Sequence, residues 1–178
     1  LAELPWFSEM FVMFKNPILG VLVGIVLTAM IQSSSASVGV LQALSATGAV
    51  SYGAAVPILM GQHIGTCVTA LLSSLGTNKN AKRAAVVHLS FNVIGTVVWL
   101  TVFTVVTSIV DIAFIDSPAN AFGIAVAHSA ISVLSTLLLL PMAGLLEKIA
   151  CKIVPDGKTK EKNSELDDRL LATPTIAL

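Results

Sequence analysis

The chain has 178 residues, of which 55% are hydrophobic and 11% charged, and its formal net charge is zero. This composition excludes an ordinary soluble domain and indicates an integral membrane protein. Without an excess of basic residues there is no footprint for nucleic acid, and we expect no nucleic-acid partner. The two cysteines, Cys67 and Cys151, lie in different settings, so we expect no disulfide framework.

Residues 1–15 combine aromatic side chains with charges and are too short and too charged to cross a bilayer. We predict an interfacial segment with aromatic anchors. Asn16 followed by Pro17 then predicts a helix start, because Asn is a good cap and Pro fits the first turn.

A membrane domain is predicted over residues 16–147, and residues 16–78 of it contain no Asp, Glu, Lys or Arg. In its first part, Gln32 and the serines Ser33, Ser34 and Ser35 interrupt an apolar run. Unsatisfied donors and acceptors would be costly in lipid, so this run should face protein or a water-filled cavity. We predict a break between two short half-helices, forming a re-entrant hairpin over residues 16–50. One long broken span is the alternative.

Residues 54–75 form the next apolar segment, which is long enough to cross the membrane. Gly61, Gln62, His63, Gly65 and Thr66 lie at its centre. Two glycines four residues apart weaken a helix, so a second broken helix is predicted here. Two consecutive apolar segments that each carry a polar break are typical of a transport site.

The rest of the chain predicts two further membrane helices, over residues 84–110 and 119–146, with a kink near Pro141. Lys79, Lys82 and Arg83 predict a basic cytoplasmic loop. Residues 111–118 contain two acidic residues and no basic one, and they predict an external loop. The charged residues 148–178 then predict a soluble cytoplasmic tail or linker.

The polar residues indicate binding of ions and not catalysis. A half-helix beginning at Ser33–Ser35 would offer free N–H groups and a partial positive charge to an anion, and Gly65 and Thr66 could do the same in the second break. Gln32 and Gln62 would end the first halves, where free carbonyls suit Na⁺. With no charged side chain nearby, each bound ion would lower the cost of desolvating the other.

Other reactive residues do not form recognisable catalytic or metal sites in the sequence. His63, His88 and His128 are spread over three segments and are expected to be interhelical hydrogen-bond partners, as is Asn92. No Cys/His cluster has metal-ligand spacing, and no nucleophile–base pair is present. We therefore expect neither an enzyme nor a cofactor.

Two motifs resemble those of the type II sodium-dependent phosphate cotransporters. Residues 32–36 read QSSSA, like the signature of that family, and residues 61–70, GQHIGTCVTA, resemble the GxNIGT motif that follows it. The next stretches, 81–85 and 88–92, are also similar. His63 departs from the family, which usually has Asn there, and it could add pH sensitivity.

The resemblance implies an all-α membrane protein built from two inverted repeats, of which this chain is the second. It implies phosphate binding by Ser33, Ser34, Ser35, Gly65 and Thr66. Candidates for binding Na⁺, the only metal ion expected, are Gln32, Thr28, Thr66, Gln62 and His63. The expected function is Na⁺-coupled phosphate symport.

The partners implied by the resemblance are phosphate, Na⁺, the lipid of the cell membrane, the first repeat of the full-length protein and, after residues 166–174, a cytoplasmic PhoU-like domain. Three alternatives stay open. They are a symporter of another oxyanion, coupling to protons through His63, and a phosphate-sensing membrane module.

Overall fold

A computed structural model describes residues 16–110 and 112–156. Within these ranges the regular structure is helical, and the only strand-like feature is an isolated bridge between Ser51 and Pro118. The predicted all-α class is confirmed. The predicted interfacial segment 1–15 and most of the predicted tail lie outside the described residues. The helices are α1 (Pro17–Ile31), α2 (Ser34–Ser45), α3 (Tyr52–Ser74), α4 (Lys79–Ile109), α5 (Ala121–Leu139), a 3₁₀ turn (Leu140–Met142) and α6 (Ala143–Ile153).

Three helical stretches are long and apolar enough to cross a membrane: α3, α4 and the run Ala121–Ile153 that joins α5 to α6. Each matches a predicted span to within a few residues, except that α4 begins five residues earlier and the last run ends seven residues later than predicted. A 3₁₀ turn interrupts the α-helix at Pro141, where the sequence predicts a kink. Proline there lacks the N–H group that an α-helix would need.

The prediction of a basic loop at residues 79–83 is wrong. Lys79 is the first residue of α4, and Asn78 caps the helix by accepting a hydrogen bond from the N–H of Ala81 at 2.9 Å. The Asn cap starts the helix five residues earlier than the apolar pattern predicts. The basic side chains therefore project from the first turns of α4.

Helices α1 and α2 form the two halves that the sequence predicts. Asn16 caps α1, its side chain accepting from the N–H of Ile18 at 3.0 Å, and Pro17 is the first helical residue. Pro17 and Ser51 line one small cavity together with Asp116, so the chain enters α1 and leaves α2 on the same side. This arrangement favours a hairpin over one long broken span. Its re-entrant placement in the bilayer stays a prediction.

The prediction of a break in the third helix is wrong, because α3 runs without interruption through residues 61–66. The glycines serve close packing instead. A Cβ on Gly61 would collide with the backbone of Val21, and one on Gly65 would lie 2.7 Å from the carbonyl oxygen of Ile25. Since successive residues of α3 meet successive residues of α1, the two helices run parallel with their backbones in contact.

A hydrophobic core joins α2, α3 and α5 near the entrance of the hairpin. Leu41, Ala55, Leu59 and Ile124 are almost completely buried there. Tyr52 belongs to the same core and stacks on Phe114, with ring centroids 4.1 Å apart. This core fixes the base of the hairpin against the helices that cross the membrane.

Candidate functional site at the helix break

The break between α1 and α2 is made by two residues with different backbone conformations. Gln32 has φ 57° and ψ 23°, in the left-handed region, and Ser33 is extended with φ −143°. The N–H of Gln32 still donates to the carbonyl oxygen of Thr28 at 2.7 Å, which ends α1. A non-glycine residue in the left-handed region costs of order 1–3 kcal/mol and is concentrated at functional sites.

Serines form the N-terminus of α2, as the sequence predicts. The Oγ of Ser33 accepts a hydrogen bond from the N–H of Ala36 at 3.4 Å and lies 3.3 Å from the Oγ of Ser35. The N–H groups of Ser34 and Ser35 belong to the first turn, where no carbonyl of the same helix can accept from them. They and the helix dipole offer a site for an anion that the described chain leaves open to the exterior, since Ser35 is exposed.

A buried polar cluster lies directly beneath the break and joins three helices. The hydroxyls of Thr28 in α1 and Ser37 in α2 are 2.8 Å apart. The Nε2 of Gln62 in α3 donates to the carbonyl oxygen of Ser37 at 3.1 Å. All three residues have no exposed surface. We call Thr28, Ser37 and Gln62 the polar triangle.

One acceptor of the polar triangle has no partner in the part of the chain that the structure describes. The Oε1 of Gln62 is buried and makes no hydrogen bond within the described residues. Burying such an oxygen without a partner costs free energy, and a bound cation would supply the missing interaction. The neutral hydroxyl and amide oxygens of the triangle are the hard ligands that Na⁺ takes in helix-break sites.

The structure places the remaining predicted site residues in three different ways. Gly65 packs beneath the break, where a Cβ would lie 2.7 Å from that of Thr28. Thr66 is one turn further along α3 than Gln62, and its hydroxyl donates to the carbonyl oxygen of Gln62 at 2.8 Å. Because α3 is continuous, neither residue begins a helix, and the second set of free N–H groups is absent from this stretch. Gln32 is exposed at the tip.

His63 lies away from the polar triangle, on the face of α3 that meets α5. Its ring centroid is 4.8 Å from that of His128, and its Nε2 is 3.3 Å from the Oγ of Ser132. The prediction that His63 is an interhelical hydrogen-bond partner is therefore confirmed. Asn92 joins α4 to α3 by donating to the sulfur of Cys67 at 3.3 Å, as expected of a residue that links helices.

Sequence reasoning missed Ser37, which is the residue that joins α1, α2 and α3. A signal was available in its spacing. Ser37 follows Ser33 by four residues, so the two lie on the same face of a helix that begins at the break. Once a half-helix is predicted there, Ser37 is the next polar position on the buried side.

A helical hairpin with a polar break, packed on helices long enough to cross a membrane, defines an integral membrane protein of the transporter class. The chain belongs to the Na⁺/Pi-cotransporter family, whose sequence profile it matches over residues 8–139. This finding confirms the family that the two motifs indicate. No solved structure matches the chain.

Several curated relatives are similar to the chain. YqeW of Bacillus subtilis, which has no functional name, is 34% identical over 134 residues, or 75% of this chain and 43% of YqeW. Sodium-dependent phosphate transport protein 2A of Rattus norvegicus is 37% identical over 49% of this chain and 14% of its own length. YjbB of Salmonella typhimurium, provisionally named an inorganic phosphate export protein, is 28% identical over 90% of this chain and 30% of its own length. The chain thus spans less than half the length of these relatives.

Proposed function

We propose that the protein couples the movement of Na⁺ to that of inorganic phosphate across the cell membrane, and that this chain supplies one of two repeats. A single observation carries the proposal. An open helix N-terminus formed by Ser33, Ser34 and Ser35 lies one turn before Ser37, whose carbonyl oxygen accepts a hydrogen bond from Gln62. The Oε1 of Gln62 is buried there without a partner among the described residues. The same hairpin thus offers donors to an anion and an acceptor to a cation.

The proximity of the two sites gives a physical reason for coupling. The hairpin contains no Lys or Arg that could neutralise phosphate and no carboxylate that could neutralise Na⁺. An ion that enters a poorly hydrated site alone pays a large desolvation cost, and an ion of opposite charge nearby offsets part of it. Phosphate and Na⁺ should therefore bind more tightly together than separately, which is the requirement for symport.

The proposed roles follow from the geometry and the family. Ser33, Ser34 and Ser35 bind phosphate, and Thr28, Ser37 and Gln62 hold Na⁺. Gln32 and Thr66 keep their predicted roles as Na⁺ ligands at the edge of these sites. Gly65 and Thr66 lie inside a continuous helix and offer phosphate no free N–H group. We place the first repeat of the full-length protein over the open side of the break. A PhoU-like domain after the tail remains part of the proposal.

The proposed orientation follows from charge. The first turns of α4 carry Lys79, Lys82 and Arg83, whereas the loop before α5 carries Asp116, so the former should face the cytoplasm. Single cysteines would be introduced at Thr77 and Ser117 in a background without Cys67 and Cys151 and tested with a membrane-impermeant thiol reagent on intact cells. Labelling at position 117 and not at 77 is expected, and the reverse pattern would invert the orientation.

The site is tested by Ser34→Ala in the protein reconstituted into liposomes. The variant loses a hydroxyl that can donate to phosphate, and a hydrogen bond to a charged group is worth roughly 1.5–3 kcal/mol. We expect the phosphate concentration for half-maximal Na⁺-driven uptake to rise about ten- to a hundredfold. Ser108→Ala, at an exposed serine near the far end of α4, is the matched control. If uptake by Ser34→Ala has an unchanged phosphate requirement, phosphate does not bind at this break.

Export is the second candidate, because YjbB, which aligns with 90% of this chain, has a name that refers to phosphate export. The same liposomes separate the candidates when they are loaded with labelled phosphate. Symport predicts that phosphate follows the Na⁺ gradient in either direction, whereas an exporter without sodium coupling releases phosphate whatever that gradient is. Phosphate binding without any movement would favour a sensor.

A further inference from the structure

A second polar cavity lies between α3, α4 and α5, on the side of α3 away from the hairpin. Its volume is about 100 Å³. Polar side chains from all three helices line it, and Thr96 and Ser135 among them are buried. The polar lining residues are His63, Asn92, Thr96, Ser132, Ser135 and Thr136.

The hydrogen bonds around this cavity use up nearly all of its donors. The hydroxyl of Thr96 donates to the carbonyl oxygen of Met60 at 3.2 Å. On α5, the hydroxyl of Ser132 donates to the carbonyl oxygen of His128 at 2.9 Å, and that of Thr136 donates to the carbonyl oxygen of Ser132, also at 2.9 Å. A hydroxyl has one proton, so these three groups can only accept from whatever fills the cavity.

The side-chain N–H groups of Asn92 and His63 at the cavity also already donate hydrogen bonds. The side-chain amide of Asn92 donates to the carbonyl oxygen of His88 at 2.9 Å and to the sulfur of Cys67 at 3.3 Å, which leaves its Oδ1 as an acceptor. Because the proton of Ser132 is already donated, the 3.3 Å contact with His63 must be a hydrogen bond from Nε2–H of His63 to Ser132. The hydroxyl of Ser135 is the remaining donor that can turn.

We propose that this cavity is a second cation site, separate from the helix break, that binds a small monovalent cation with part of its water. The lining residues supply four neutral acceptors and one donor that can turn, the hydroxyl of Ser135. The acceptors are the hydroxyl oxygens of Thr96, Ser132 and Thr136 and the Oδ1 of Asn92. A cation can interact with several of these acceptors at once. The volume accommodates a small ion and a few water molecules. Among the described residues no carboxylate lines the cavity, which disfavours Ca²⁺ and Mg²⁺, and no thiol lines it, which disfavours soft metals. The proposal does not depend on what the hairpin transports.

The experiment uses the protein in lipid nanodiscs, with Na⁺ as the probe and choline replacing it at constant ionic strength. The ¹⁵N–¹H signals of the Asn92 side-chain amide are followed by NMR. We expect them to shift saturably with Na⁺ and not with choline. In Thr96→Val/Ser132→Ala, which removes two acceptors, the Na⁺ concentration for half of the shift should rise at least tenfold.

Three variants separate this site from a general effect on the fold or on the hairpin. Thr96→Ser keeps the acceptor and should respond like the wild type. Ser129→Ala changes an exposed serine on α5, the helix that carries Ser132, and should also respond normally. Ser37→Ala alters the polar triangle and should leave the Asn92 response in place. An Asn92 signal that ignores Na⁺ means that the cavity holds water only, and that result overturns the proposal, as does an equal response in the double variant.

Discussion

The interface between α1 and α3 and the interface between α4 and α5 join helices in different ways. In the first, glycines bring two backbones into contact, so that Gly61 and Gly65 touch the backbone or Cβ atoms of α1 directly. In the second, α4 and α5 approach near Gly95 and Ser135 and then diverge around an apolar cavity of about 540 Å³. The first interface fixes the register of α1 on α3, whereas the second leaves a cavity between α4 and α5.

This difference bears on where the proposed helix-break site lies. A bound ion requires its ligands to stay within a few tenths of an ångström, and a glycine-packed interface cannot slide without collisions of backbone atoms. The register of α1 on α3 places Gln62 beside Ser37, beneath the break. The α4–α5 interface depends on side chains that can change rotamer, so it suits a hydrated cavity better than a precise ligand set.

The largest expected effect comes from adding one methyl group to each interface. In Gly61→Ala the new Cβ collides with the backbone of Val21, which cannot move without shifting α1. In Gly95→Ala the Cβ lies 3.2 Å from the hydroxyl of Ser135, a side chain that can rotate. We expect Gly61→Ala to lower the free energy of unfolding by about 3 kcal/mol or more and Gly95→Ala to change it by less than about 1 kcal/mol.

Thermal unfolding in detergent, followed by circular dichroism, measures both variants. Gly39→Ala serves as the control, because a Cβ there meets nothing within 4 Å. It should be neutral or slightly stabilising, since alanine favours a helix over glycine. Equal destabilisation by the substitutions at 61 and 95 would contradict the contrast between the two interfaces.

A smaller effect on stability, with a large effect on ion binding, is expected for Gln62→Leu. The substitution removes the side-chain donor to the carbonyl oxygen of Ser37, which keeps its bond within α2, and it also removes the buried Oε1 of Gln62. The two changes should nearly cancel in stability, to within about 1 kcal/mol. The Na⁺ concentration for half-maximal phosphate uptake should rise about tenfold or more.

Gln42→Leu is the matched control for this variant. Its Nε2 makes a similar bond, to the carbonyl oxygen of Ala121 at 3.0 Å, far from the break. Sodium dependence should be normal in that protein. If both substitutions change it equally, Gln62 acts only through the packing of the hairpin.

The smallest effect is expected at the N-terminal end of α4, where an ion pair attaches the chain beyond α6. Arg83 donates through Nε to the carbonyl oxygen of Val154 at 3.0 Å and lies 3.0 Å from the carboxylate of Asp156. The hydrogen bond and charge of Arg83 lower the pKa of Asp156 from its usual 3.8. A lowered pKa contributes stability above the usual value, and this contribution is lost as the pH falls through the folded-state pKa.

Asp156→Asn should therefore lower the unfolding temperature slightly at pH 6, and the difference from wild type should disappear at the acid end of a titration. The pair is exposed, so the shift should be small. Asp116→Asn, on the opposite side of the molecule, is the control. A difference that persists unchanged below the lowered, folded-state pKa would mean that Asp156 acts without its charge.

Local signals predicted the hairpin well. The Asn16 cap, Pro17 and the serines after Gln32 each have one structural use in an apolar region, so together they locate both half-helices. The glycines at 61 and 65 have two uses, because glycine either weakens a helix or lets another helix approach. Which use applies depends on α1 lying parallel against α3. That information lies in the tertiary structure, and so the break in α3 was predicted wrongly.

The polar triangle shows the same limit. Thr28 and Gln62 were singled out as separate ligands from two breaks, whereas the structure joins them through Ser37 in one cluster. His63, next to Gln62 in sequence, was predicted with it but points about one-quarter of a turn away and meets α5. Residues adjacent in sequence face different helices, and only the packing decides which of them share a site.

The parallel packing of α1 on α3 also sets an electrical depth for the site. Gly65 marks the level of Thr28 in the polar triangle, and at 1.5 Å per residue it lies about 20 Å from the Tyr52 end of α3 and about 14 Å from the Ser74 end. In the proposed orientation, a Na⁺ ion that reaches the polar triangle from outside crosses about three-fifths of the transmembrane field, a gain of roughly 1.4 kcal/mol per 100 mV. The negative charge on phosphate experiences the opposite force. Membrane voltage would then add to or subtract from the sodium gradient according to the sum of the charges bound at the break.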